Sequence, residues 1–238
     1  MTAKDRLIVA LDVNNAEEAE SLVRLLAPEV GVFKVGLELF MAEGPPVVRL
    51  LKKAGARHIF LDLKLHDIPA TMRAAARSAV SLGVDFLTCH CEQTAIFQDL
   101  DLGVTRLLGV TVLTSLGPED LARLGYPPEL TNPAELVLRR AALALEAGCH
   151  GVVCSGHEAQ AVRGLLGPQA LVVCPGIRPA ALGVGDDDQK RVVTPDMAIK
   201  AGASHIVVGR PIRGAADPVK AAREVVRALA SASPARLD

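Results

Sequence analysis

The sequence predicts a parallel eight-stranded (β/α)8 barrel of the TIM type, an α/β fold forming one domain over residues 1–238. Three observations carry this expectation. Short β-branched or Leu-rich runs alternate strictly with helical patterns, which calls for parallel strands joined by helical crossovers. Eight such runs fit into 238 residues, the repeat number and length of a (β/α)8 barrel. The glycine fingerprint of the competing doubly wound sheet is missing, because LIVALDVNNAEEAE, the first strand and its turn, contains no glycine.

The elements follow in order. RLIVALD (6–12) is the first strand, and the amphipathic run NAEEAESLVRLLA after it is the first helix. GVFKVGL (31–37) is the second strand, followed by the helical PPVVRLLKKAG. HIFLDLKL (58–65) and FLTCHC (86–91) flank the helical TMRAAARSAVSLG. LLGVTVLT (107–114) is the fifth strand, and the long connection 115–131 is patterned enough to hold a short helix. NPAELVLRRAALALEAG leads to GVVCS (151–155), then come LVVCPG (171–176) and HIVVGR (205–210), and DPVKAAREVVRALA closes the pattern. Gly55, Gly83, Gly148 and Gly202 each end a helical pattern just before a strand, the usual C-terminal stop. No linker or low-complexity tract divides the chain.

Composition excludes several function classes. The net charge of -1 leaves no bulk attraction for nucleic acid or a membrane surface. An anionic ligand must therefore be held by a few placed groups. No apolar run approaches the ~20 residues a membrane helix needs. MTAKDRLIVALD enters a strand with no signal-peptide pattern, and the odd count of 5 cysteines, scattered through strand-like runs, suits reduced thiols. A cytoplasmic protein is expected.

Active sites of this fold lie at the C-terminal ends of the strands. The polar residues there are Asp12, Lys34, Asp62, Lys64, His90, Thr114, Ser155, Arg178 and Arg210. The third strand is the densest, since FLDLKLHDIPAT places Asp62, Lys64, His66 and Asp67 within six positions. Strand alternation turns Leu61, Leu63 and Leu65 toward the outer helices, and Phe60, Asp62 and Lys64 into the barrel. Buried ion pairs stabilise weakly, because desolvation offsets attraction. A run of Lys34, Asp62, Lys64 and Asp67 at a barrel mouth therefore points to chemistry. At the other end of the chain, VVGRPI sets Gly209 before Arg210. There a bare backbone N–H and a guanidinium can grip phosphate oxygens.

Other signals carry less. In CHC (89–91) the two cysteines share a face and no second pair stands at zinc spacing, so buried thiols are expected and no metal site. His66 is read as structural, donating to a backbone carbonyl or lining a dimer contact. Ser155 is not in a G-x-S-x-G elbow. KRVVTP is too short a basic cluster for nucleic acid.

Taken together these motifs resemble one family. LDLKLHDIPAT resembles the D-x-K-x-x-D signature of the orotidine 5′-monophosphate decarboxylase family. ALD with Asp12, FKVGLELF with Lys34, TVLTS with Thr114, PGIRP with Arg178, DDQKRVVTP with Gln189 and VVGRPI with Gly209 and Arg210 follow in the family's order. The resemblance spans nearly the whole chain. It implies decarboxylation of orotidine 5′-monophosphate to UMP, the last step of de novo pyrimidine synthesis, with no metal and no organic cofactor. It implies Lys64 as the charge beside C6 and the proton donor, held charged and oriented by Asp62 and Asp67. Lys34 and Asp12 would bind the ribose hydroxyls, with Lys34 extending the charge array. Thr114, Arg178, Gln189, Gly209 and Arg210 would complete substrate binding, under a phosphate lid at 179–193. A homodimer is implied, with Asp67, Ile68 and Thr71 reaching into the partner's site.

Two other readings stand beside this one. A related sugar-phosphate decarboxylase or aldolase shares D-x-K-x-x-D but uses Mg²⁺. A non-catalytic nucleotide-binding barrel would keep the phosphate grip and need no Lys64.

Overall fold

The computed structural model describes residues 1–90, 92, 96–179 and 193–232. It is a closed barrel of eight parallel strands in sequence order, β1 pairing with β8. A 3-10 turn at Lys4–Arg6 leads into β1 (Leu7–Ala10). Then follow α1 (Ala16–Leu26), β2 (Val32–Gly36), α2 (Leu37–Glu43), α3 (Pro46–Lys53), β3 (His58–Leu65), α4 (Pro69–Ser81) and β4 (Phe86–His90). The second half holds β5 (Arg106–Val110), α5 (Pro118–Arg123), a 3-10 turn at Pro128–Leu130, α6 (Pro133–Glu146), β6 (Gly151–Val153), α7 (Ala159–Leu166) and β7 (Leu171–Cys174). It closes with α8 (Pro195–Lys200), β8 (His205–Val208), α9 (Arg210–Arg213) and α10 (Pro218–Ser231).

Local chemistry explains the boundaries. Asn15, Asn132 and Asp217 cap α1, α6 and α10, each side chain accepting from a backbone N–H of the first turn. Gly55, Gly83, Gly148 and Gly202 all have positive φ, as the helix-end reading requires. The structure corrects several extents. The second strand stops at Gly36, and Leu37 opens α2, a helix the sequence did not announce. The fifth strand stops at Val110, short of Thr114. The 115–131 connection does carry a short helix, α5.

Alternation along the strands builds two apolar layers. Leu7, Val9 and Leu11 pack outward against the helices, while Ile8 and Ala10 face the barrel interior with Val32, Phe60, Phe86, Leu108 and Val207. The interior is thus a packed plug, and the polar residues that continue the same faces, Asp12 after Ala10 and Lys34 after Val32, emerge above it. No helix among the described residues is long and apolar enough to cross a membrane.

Below the plug lies a buried base the sequence reading passed over. His205 opens β8, is 5% exposed and packs its ring edge-on to Phe86. Burial first, then the positive charge of Arg6, lowers its pKa to about 4. The folded protein therefore holds His205 neutral where the unfolded chain protonates it. This stabilisation is complete above about pH 6.5 and is lost as pH falls toward 4, by an amount on the order of 3 kcal/mol. Denaturant unfolding at pH 7 and pH 4.5 is expected to show a smaller acid-induced loss in His205→Gln than in wild type. Equal losses in the two proteins would remove His205 as the cause.

Candidate active site

The mouth of the barrel opens into a cavity of about 350 Å³. Asp12, Lys34, Asp62, Lys64, Thr114, Arg178, Gly209 and Arg210 all line it. Eight residues singled out from six strand ends thus share one cavity, because a parallel barrel brings every strand's C-terminal end to the same rim. Four basic side chains face two acidic ones among these residues. The cavity suits an anionic ligand.

The charged groups form a chain. Lys34 is 9% exposed, and its Nζ donates to Asp12 Oδ1 at 3.0 Å. The same ammonium stands 3.7 Å from Asp62 Oδ2. Asp62 Oδ1 accepts from Lys64 Nζ at 3.0 Å. Asp62 therefore sits between two ammonium groups, each of which offsets the cost of burying it. Gly36 makes room for this arrangement: a Cβ there would lie 2.9 Å from Lys34 Nζ and 3.4 Å from Asp12 Oδ1. Nothing in the sequence marked Gly36 beyond its place on a strand.

Lys64 has a second peculiarity. Its φ is +52°, in the left-handed region that a residue with a side chain seldom adopts. The β3–β4 pairing shifts register between Leu61 and Leu65. Simple alternation puts Asp62 and Lys64 on the inner face, but the bulge is what re-aims Lys64. At this bulge, the Thr88 hydroxyl accepts from Lys64 N and donates to Asp62 Oδ1, both at 2.9 Å.

The described residues of the phosphate-binding expectation line the same cavity, with Gly209 beside Asp12. Gly209 precedes α9, and a Cβ there would come within 3.4 Å of Ala10 Cβ and 3.5 Å of Asp12 Oδ2. Arg210 follows it, exposed, and Arg178 stands half-buried after β7. Gln189, with most of the 179–193 segment, lies outside the described residues.

Asp67, Ile68 and Thr71 stand apart from this cavity in the single chain. All three are exposed at the start of α4, and Asp67 Oδ1 accepts from Ile68 N at 2.6 Å. The charge run expected from sequence thus ends at Lys64 within one chain, because the backbone leaves the barrel wall before Asp67. For His66 the carbonyl partner is corrected. Its Nε2 meets Glu92 Oε2 at 2.9 Å rather than a carbonyl, and Glu92 Oε1 accepts from Arg140 Nη2 at 3.1 Å. This tether ties the β3–α4 connection to α6. His90 stacks near His66 and Ser155 Oγ accepts from His157 N, so neither lines the cavity. Cys89 is buried 3.7 Å from Cys149 Sγ, as a core thiol should be, and Cys91 lies outside the described residues. Among the described residues no group of three His, Cys, Asp or Glu side chains is arranged to hold a metal ion.

Comparison with known proteins places the chain in a family. Residues 5–225 match the family described as orotidine 5′-phosphate decarboxylase / HUMPS. The chain belongs to that family. An orotidine 5′-phosphate decarboxylase of Anaeromyxobacter sp. (strain K) is 49% identical over 236 residues, 96% of this chain and 100% of that one. One from Rhodopseudomonas palustris (strain BisB5) is 46% identical over 234 residues, 97% of each chain. The crystal structure of the Lactobacillus acidophilus orotidine 5′-phosphate decarboxylase superposes with a TM-score of 0.80 at 36% identity, covering 94% of this chain and 98% of that one. The orotidine 5′-phosphate decarboxylase / HUMPS family therefore accounts for the barrel.

Proposed function

We propose that this chain, as a single barrel domain, decarboxylates orotidine 5′-monophosphate to UMP in de novo pyrimidine biosynthesis. We place it in the cytoplasm, as a homodimer, with no metal or organic cofactor. The observation that carries the reading is the Asp12–Lys34–Asp62–Lys64 chain inside a cavity that also holds Arg178 and Arg210. The full-length likeness to curated decarboxylases supports it.

The chemistry follows from where the charge develops. Breaking the C6–carboxylate bond releases CO₂ and leaves the electron pair at C6. That pair lies in the plane of the pyrimidine ring, so the ring π system cannot absorb it. Stabilisation must come from a fixed positive charge beside C6. Lys64 supplies it, then gives its Nζ proton to C6, which yields UMP. Asp62 keeps the ammonium oriented and crowds the departing carboxylate. Lys34 and Asp12 hold the ribose hydroxyls, and Thr114 borders the base. Arg178, Gly209, Arg210 and Gln189 grip the phosphate, whose remote binding energy holds the reactive geometry. Asp67, Ile68 and Thr71 complete the partner's cavity, which accounts for their standing outside their own.

The first test follows the ultraviolet change from orotidine monophosphate to UMP with the protein in EDTA. Turnover there is expected. Because the family description also names HUMPS, the rival outcome is specific: no turnover in EDTA, and activity on a keto-sugar phosphate with Mg²⁺. Nucleotide binding without turnover under either condition would leave a sensor. The shared site makes a second prediction. Lys64→Ala and Asp67→Ala, each inactive alone, should regain about a quarter of wild-type activity when mixed and allowed to exchange, since half the dimers then carry one intact site. No recovery in exchanged mixtures would refute sharing.

A further inference from the structure

We propose that Thr88 is a positioning residue for the decarboxylation, one hydroxyl that fixes both the left-handed backbone of Lys64 and the carboxylate of Asp62. The proposal rests on the reading of Lys64 as the group that acts at C6.

The pairing of β3 with β4 shows why such a residue is needed. Leu61 pairs with Leu87 and Leu65 with Cys89. The chain therefore advances by Asp62, Leu63 and Lys64 on one strand while Thr88 alone stands opposite on the other. An ordinary ladder cannot satisfy the extra N–H groups of such a bulge. Thr88 answers with its side chain. It is fully buried at 0% exposure, on the same inward face of β4 as Phe86. Its Oγ1 accepts from Lys64 N at 2.9 Å and donates to Asp62 Oδ1 at 2.9 Å. A hydroxyl has one proton to give and lone pairs to receive, so both bonds form at once. The two bonds polarise each other in the same direction, from Lys64 N–H through the hydroxyl to the carboxylate.

The consequence reaches the ammonium by two routes. Lys64 sits at φ +52°, a conformation that persists only where the surroundings over-determine it. The bond to Thr88 is the side-chain contact that pins that backbone. Asp62 Oδ1 also accepts from Lys64 Nζ at 3.0 Å, so the hydroxyl fixes the carboxylate that aims the ammonium. Threonine suits the role better than serine, because its β-branch restricts χ1 and keeps the hydroxyl aimed. Thr88 is fully buried and does not line the cavity, so its loss should misplace the reacting ammonium and spare nucleotide binding.

Thr88→Val keeps the shape and removes both bonds. Its kcat with orotidine monophosphate is expected to fall about tenfold to hundredfold, the cost of misplacing a reacting group by a fraction of an ångström to an ångström. Its affinity for UMP, read by calorimetry, should stay within about threefold of wild type. Thr88→Ser, which keeps the hydroxyl, should retain kcat within about threefold. Thr88→Ala is measured alongside, because it removes both bonds without pressing a methyl against the carboxylate, and the same split is expected of it. A Thr88→Val or Thr88→Ala kcat within twofold of wild type would overturn the proposal. So would a Thr88→Ser loss equal to that of Thr88→Val, which would assign the role to the methyl group. Wild type failing to turn over orotidine monophosphate is a separate result: it refutes the function and this role with it.

Discussion

Lys64→Ala is expected to lower kcat for orotidine monophosphate by about 10⁴-fold or more. The figure combines the two roles proposed for its ammonium. Preorganised charge at the reacting centre is worth about 10²–10³ in rate, and a positioned proton donor about 10²–10⁴. The fold should tolerate the change. Asp62 would keep Lys34 at 3.7 Å and the Thr88 hydroxyl at 2.9 Å, so the buried carboxylate is not orphaned. UMP should still bind, because Arg178 and Arg210 are untouched. Steady-state kinetics, thermal melting and UMP titration on the same preparations separate these effects. A mutant that melts like wild type, binds UMP and still turns over within tenfold of wild type would disqualify Lys64 as the reacting group.

Asp62→Asn is expected to cost about 10²–10³ in kcat, through orientation and electrostatics rather than through proton transfer. The amide keeps the size of the carboxylate and can still accept from Lys64 Nζ and the Thr88 hydroxyl. It removes the negative charge that lies between Lys34 and Lys64, at 3.7 Å and 3.0 Å. Two ammonium groups then face each other across a neutral group, and Lys64 loses the anion that aims it. KM should not rise in proportion, because the proposed crowding of the substrate's carboxylate by Asp62 is then relieved. A parallel rise in KM with kcat unchanged would mean that Asp62 serves binding alone.

These two residues also show how much was legible beforehand. Asp62 and Lys64 could be placed on the inner face of a third strand from period-two alternation alone, and Phe60 beneath them in the interior layer agrees. Asp12 and Lys34 could be placed in the same way. The fold itself followed from eight alternations, and the barrel closes as expected. Gly36 and Thr88 were not legible. A glycine in a strand and a threonine in FLTCH look ordinary; the room at Gly36 is claimed by the Lys34 ammonium as it reaches Asp12, and the partners of Thr88 are Lys64 and Asp62, so both depend on how distant strands meet. The Glu92 partner of His66 was missed for the same reason, since the pair joins residues 26 apart. The run of charges at the mouth of one barrel stops short of Asp67, which does not line its own chain's cavity, because a one-dimensional pattern does not reveal where the backbone turns away from the wall.

What the sequence by itself determined was the repeat of strand and helix, the inward face of each strand and the chemical types at the barrel mouth. Those properties are periodic or local, and periodicity survives in one dimension. The tertiary structure decided the register between β3 and β4, the left-handed turn at Lys64 and the hydroxyl that secures it. Register is a relation between two strands. A change of two residues in that relation costs the sequence nothing visible, yet it determines where an ammonium group points.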